Sequence, residues 1–121
     1  MPRRSICLLA CCGAAAVLAM VSLSGCAAFL AAREQLAQGW RDARVVQVGS
    51  GASITRESDS DCRKAVSADE AAKGRYAVYL YKGLSNSHWH RIAPLRDDVQ
   101  LQVGDLVRVN IQNCSLAPIP R

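Results

Sequence analysis

The chain has 121 residues, enough for one small domain, and carries 15 Lys and Arg against 10 Asp and Glu. Arg3 and Arg4 belong to a leading segment that looks removable; without them 13 basic side chains remain against the 10 acidic ones. That mild excess suits a surface near anionic lipid headgroups and is too weak to argue for nucleic acid.

From Ser5 to Ala32 no side chain is charged. A basic start, an apolar run and then small residues form a secretory signal. The rival reading is a membrane-spanning helix, since these 28 residues exceed the roughly 20 a bilayer needs. The run, however, ends Leu23-Ser24-Gly25-Cys26, an aliphatic residue, two small residues and a cysteine. This resembles the lipobox of bacterial lipoproteins. The resemblance implies diacylglycerol on the Cys26 thiol, cleavage before Cys26 and loss of residues 1–25. Two or more acyl chains then hold the protein to a membrane, at about 0.8 kcal/mol per buried methylene. In a Gram-negative host, Ala27 after the cysteine implies the outer membrane, with the rest of the chain facing the periplasm.

Residues 26–43 read as a lipidated start and a helical tether. Ala27 to Ala43 is rich in good helix formers, and Phe29, Leu36 and Trp40 fall on one side of a helix. Phe29 and Leu30 are expected at the membrane interface, and Trp40 on the domain edge.

Residues 44–116 read as a small β-domain. Val46 and Val48 alternate with Gln47, Gly49-Ser50-Gly51 marks a turn or bulge, and Ser53 to Arg56 could resume a strand. Ser67 and Glu70 form a capping-box pair before a short helix that Gly74 ends. RYAVYLYK, Arg75 to Lys82, is the clearest strand: Tyr76, Val78 and Leu80 line one face, Ala77, Tyr79 and Tyr81 the other. GLSNS is a hairpin loop, and His88 to Leu95 returns as a strand. Val99, Leu101 and Val103 alternate as another strand, Gly104-Asp105 turns, and Leu106 to Cys114 is the last. Pro118 and Pro120 are expected to close a stiff, frayed tail, residues 117–121. This pattern predicts a mainly β fold, a small antiparallel β-barrel or sandwich. The segment VQLQVGDLVRVNI, residues 99–111, resembles a strand–turn–strand of OB- or SH3-like barrels, which implies a fold and not a function.

Six cysteines suggest a disulfide framework, but Cys7, Cys11 and Cys12 leave with the signal and Cys26 takes the lipid. Cys62 and Cys114 remain, and in an oxidising compartment they are expected to bond. The alternative is two buried thiols.

Four side chains in the hairpin, Tyr79, Tyr81, Trp89 and Arg91, could share a face and make a stacking platform for a sugar or for bases. The simpler reading puts those rings in a small core. His88 and His90, two apart on a strand, could meet one metal, although no third ligand is evident. Gly49 to Ser53 lacks the spacing of a phosphate loop, and no nucleophile–base pairing is readable. The expectation is therefore a non-enzymatic envelope protein without a cofactor, which docks a protein or glycan partner. The alternatives are a disulfide-responsive sensor or assembly factor, and a metal-binding protein centred on His88 and His90.

Overall fold

The computed structural model describes residues 25–121. The expected signal peptide, with Leu23 and Ser24 of the lipobox, therefore lies outside the described residues. The chain divides into two compact units between Gln35 and Leu36.

The described chain opens in a helix, α1, through residues 25–37. Cys26, Phe29 and Leu30 are exposed on it. No described helix is long and apolar enough to cross a membrane. The helix ends well before the expected Ala43. Gly39 takes φ +93°, a conformation that costs a residue without Cβ little. The backbone there is then claimed by distant partners: the Asn110 side chain donates to the Gln38 carbonyl at 2.9 Å, and the Ile111 N–H donates to the Gly39 carbonyl at 2.9 Å. Trp40, expected on the helix, starts a strand instead.

That strand, β1 (Trp40–Ser50), is the longest in one six-stranded sheet. The others are β2 (Ser60–Asp61), β3 (Arg75–Lys82), β4 (His88–Pro94), β5 (Leu106–Asn110) and β6 (Ile119–Pro120). Their spatial order is β2-β4-β3-β1-β5-β6. β2 runs parallel to β4, and every other pairing is antiparallel. The fold is mainly β, but the sheet is mixed and open, neither the barrel nor the sandwich expected. Closing it would require the outer strands to pair, and β2 and β6 have only two residues each.

The missing strand is the one expected at Val99 to Val103. Its backbone instead makes local turns, Val99 N–H to the Arg96 carbonyl and Asp105 N–H to the Gln102 carbonyl, while the Asp105 carboxylate accepts from Gln102 N–H. Leu101 is buried, Val103 is exposed, and the segment covers the sheet rather than extending it. Only Leu106–Asn110 of the barrel-like segment is a strand. Ser53 to Arg56 forms no strand either. The Pro-containing tail, by contrast, pairs with β5: Ile119 sits opposite Arg108, and Arg121 N–H donates to the Leu106 carbonyl.

β3 has the bounds and the alternation expected of it. Ala77 and Tyr79 belong to one core cluster, with Ala43, Val45, Cys62, Leu101 and Val107; Tyr76 and Val78 belong to a second, with Ile54 and Ile92. Both faces of the sheet are thus covered at β3. Val46 and Val48 do not share a face. The β1–β3 register slips between Val45 and Gln47, so that Val46 packs on the second cluster and Val48 on the first.

After β2 come a four-residue 3-10 helix (Cys62–Ala65) and α2 (Ala68–Lys73). The Ser67 hydroxyl accepts from Glu70 N–H at 3.2 Å, the N-cap that its spacing predicted. Gly51 lets α2 dock on the end of β1. A Cβ there would stand 1.7 Å from the Ala71 carbonyl oxygen, while Gly51 N–H already donates to Gly74 and Ala52 N–H to Ala72. Backbone cannot step aside as a side chain can. Gly51→Ala is expected to cost about 2–3 kcal/mol. Gly49→Ala, which meets only the movable Ser53 side chain, should cost clearly less, as urea denaturation of the two variants would show.

Candidate functional site

The β3–β4 hairpin is closed by GLSNS. Gly83 N–H donates to the Ser87 carbonyl at 2.7 Å, and Asn86 takes the left-handed turn conformation at φ 62°. The register sets Tyr79 opposite Arg91, Tyr81 opposite Trp89, Leu80 opposite His90 and Lys82 opposite His88. Tyr79, Tyr81, Trp89 and Arg91 therefore share one face, and His88 and His90 share the other.

The shared face is not one open platform. Tyr79 is fully buried in the core and Arg91 is only 5% exposed, whereas Tyr81 is half-buried and Trp89 is 51% exposed. The surface runs from core at one end to an accessible indole at the other, whose Nε1 donates to the Ser87 hydroxyl at 2.8 Å. Burial pushes the Tyr79 phenol up to about 12, and its hydroxyl has no partner among the described residues. An unpaired buried hydroxyl carries a desolvation penalty. Tyr79→Phe is expected to be neutral or to stabilise by about 1 kcal/mol in urea denaturation, because the ring keeps its packing.

The Arg91 guanidinium lies inside the same layer. Nη1 donates to the Ser60 hydroxyl at 2.8 Å, Nη2 donates to the Cys114 sulfur at 3.4 Å, and Nε is buried without a partner among the described residues. Burial lowers its pKa, and electrostatic interaction with Tyr81 and Asp61 opposes this. Cys62 and Cys114 are bonded, with Cα atoms 5.7 Å apart. Cys62 follows β2, while Cys114 follows β5, with β4, β3 and β1 between those strands. The bond thus spans the face that holds Tyr79 and Arg91.

Beside Trp89 opens a cleft of about 500 Å³, lined by Glu57, Ser58, Asp59 and Lys64 on one side and by His88 to His90 on the other. It exists because β2 is short. β2 pairs only with Arg91 and Ile92, so among the described residues no strand covers the outer side of the first half of β4. The Ser58 hydroxyl donates to the His90 carbonyl at 2.6 Å. Backbone groups alternate along a strand, so those of His88 point to the same open edge. His90 is half-buried, and burial together with the Arg56 charge lowers its pKa; His88 is exposed. Among the described residues no three His, Cys, Asp or Glu side chains are grouped to hold a metal ion.

One residue that organises this region left no sequence signal. Arg63 pairs with Asp61 at 2.7 Å and donates to the carbonyls of Gly51, Ile54 and Arg56, tying down the loop that forms the cleft's outer wall. Comparisons with known protein families, with curated proteins and with solved structures found no match for this chain.

Proposed function

We propose that this chain is a lipid-anchored envelope protein, held through Cys26 at the outer membrane and facing the periplasm. Its β-domain docks an extended segment of a partner protein and catalyses nothing. The observation that carries the docking reading is the unpaired first half of β4. An incoming strand finds free backbone groups at His88, a cleft of about 500 Å³ for its side chains and a half-exposed Trp89 to cover. Backbone pairing supplies affinity in such strand addition, and the alternate pockets supply specificity. Anchoring is supported by the Leu23-Ser24-Gly25-Cys26 signature and by the free, exposed thiol of Cys26.

The test is made in cells, with a photo-cross-linking amino acid at position 89 and labelled palmitate in the medium. A defined protein cross-link from position 89, absent from a control at Lys73 on α2, is expected. Palmitate incorporation that disappears in Cys26→Ser is expected with it. Equal cross-linking from both positions would remove the docking reading, and label retained by Cys26→Ser would remove the anchor.

A second reading, a disulfide-responsive sensor or assembly factor, is favoured by one observation. The only covalent staple on this face of the sheet among the described residues lies against a buried cation.

A further inference from the structure

Arg91 is a buried cation without a counter-ion. Among the described residues no carboxylate forms an ion pair with it. Asp61 acts on it through space, but that carboxylate is already engaged by Arg63 at 2.7 Å. Its cross-strand partner Tyr79 and the neighbouring Tyr81 on the same face are phenols, not carboxylates. Such a group usually faces an anion. The group at 3.4 Å is the Cys114 sulfur, neutral while bonded to Cys62.

We infer that Cys114 is the reactive thiol of the pair: when the bond to Cys62 is open, Arg91 holds Cys114 as a thiolate that exchanges with other disulfides. This deepens the second reading above and does not depend on the docking or anchoring of the chain. Two placements separate the roles of the sulfurs. Cys114 is partly exposed, whereas Cys62 is 3% exposed. Arg91 donates to Cys114, while Cys62 lies between Asp61 and Arg63, whose charges pair with each other.

The exchange conserves atoms and electrons. The Cys114 thiolate attacks one sulfur of an incoming disulfide, from a small molecule or a protein, and expels that partner's first thiolate. The expelled thiolate takes the proton of the Cys62 thiol. The Cys62 sulfur then attacks Cys114 Sγ, closes the native bond and expels the second thiolate. Two cysteine thiols are oxidised and one external disulfide is reduced to two thiols. In reverse, an external thiolate attacks the accessible Cys114 and Cys62 leaves.

The full chain, reduced with a phosphine, is pulsed with iodoacetamide from about pH 5.5 to 9.5, and each cysteine is followed by mass spectrometry. A free thiol titrates near 8.5. The Cys114 midpoint is expected at least about one unit lower, which raises its alkylation at pH 7 about eightfold. Arg91→Lys should keep the midpoint low, and Arg91→Met should return it to about 8.5 or above. Accessibility alone would change the rate but not the midpoint. A Cys114 midpoint near 8.5 in the parent chain overturns the inference, even if the cause is loss of structure on reduction; so does a low midpoint unchanged by Arg91→Met. The oxidised native chain gives a second readout through a brief pulse of labelled glutathione. The trapped adduct is expected on Cys114, and an adduct chiefly on Cys62 overturns the inference.

Discussion

Replacing Cys62 and Cys114 together by alanine is expected to remove about 4 kcal/mol of stability and to lower the melting temperature by on the order of 20 °C. The two cysteines are 52 positions apart in sequence. Closing so long a loop restricts the unfolded chain strongly, and loop entropy alone accounts for about 4 kcal/mol. The folded structure gives a second reason. The sheet is open, so side-chain packing, the Arg91–Cys114 hydrogen bond and this disulfide join the β2–β4 side to the segment after β5 across the first core cluster. Small domains have little stability to spare, so a loss of this size leaves a substantial unfolded fraction near 37 °C. Differential scanning calorimetry of the double variant checks this, and a shift of less than about 5 °C would refute it.

The second large effect is expected at Arg63. Its guanidinium meets both Asp61 oxygens and three backbone carbonyls, in a site where the Asp61 side chain is 6% exposed. Arg63→Ala strands that carboxylate and frees the loop after β1, at a cost of about 3–4 kcal/mol. Arg63→Lys should recover little, since a single ammonium cannot reach acceptors spread around a planar fork. The interaction also shapes the acid limb of stability. Burial raises the Asp61 pKa, but the hydrogen bonds and charge of Arg63 outweigh it and hold the carboxyl below its ordinary value of 3.8. A depressed folded pKa means stability that is complete above about pH 4 and lost as pH falls through the folded value. With Arg63 gone, burial dominates, the carboxyl moves up, and the loss begins at a higher pH. Urea unfolding from about pH 2 to 6 should show the parent losing stability below about pH 4 and Arg63→Ala losing it earlier. Identical acid limbs would show that the pair is not the titrating unit.

Much of the candidate site could be read before any coordinates. RYAVYLYK alternates, so the chain had to place Tyr79 and Tyr81 on one face, and the short GLSNS loop had to bring Trp89 and Arg91 back beside them. What the alternation could not show is depth. Tyr79 and Arg91 lie under the Cys62–Cys114 bond, while Trp89 lies at the uncovered end, and that difference arises from segments remote in sequence. The cleft was not legible at all. It depends on β2 stopping at two residues and on Arg63 holding the preceding loop, and neither leaves a periodic trace.

Residue order alone settled the local matters: the bounds of β3, the Ser67 cap and the hairpin turn. These depend on side-chain alternation and on backbone preference near one residue. Tertiary structure decided the rest. Val99 to Val103 has a strand's alternation, yet Asp105 and the turns at Arg96 and Gln102 hold it as a cover over the core. The tail has two prolines, yet β5 offers an unpaired edge and Ile119–Pro120 takes it. Trp40 sits in helix-forming sequence, yet Asn110 at the end of β5 offers it a place opposite in the ladder, and β1 begins there. In each case the local energies of two conformations differ little, and the free backbone groups of a remote segment decide between them.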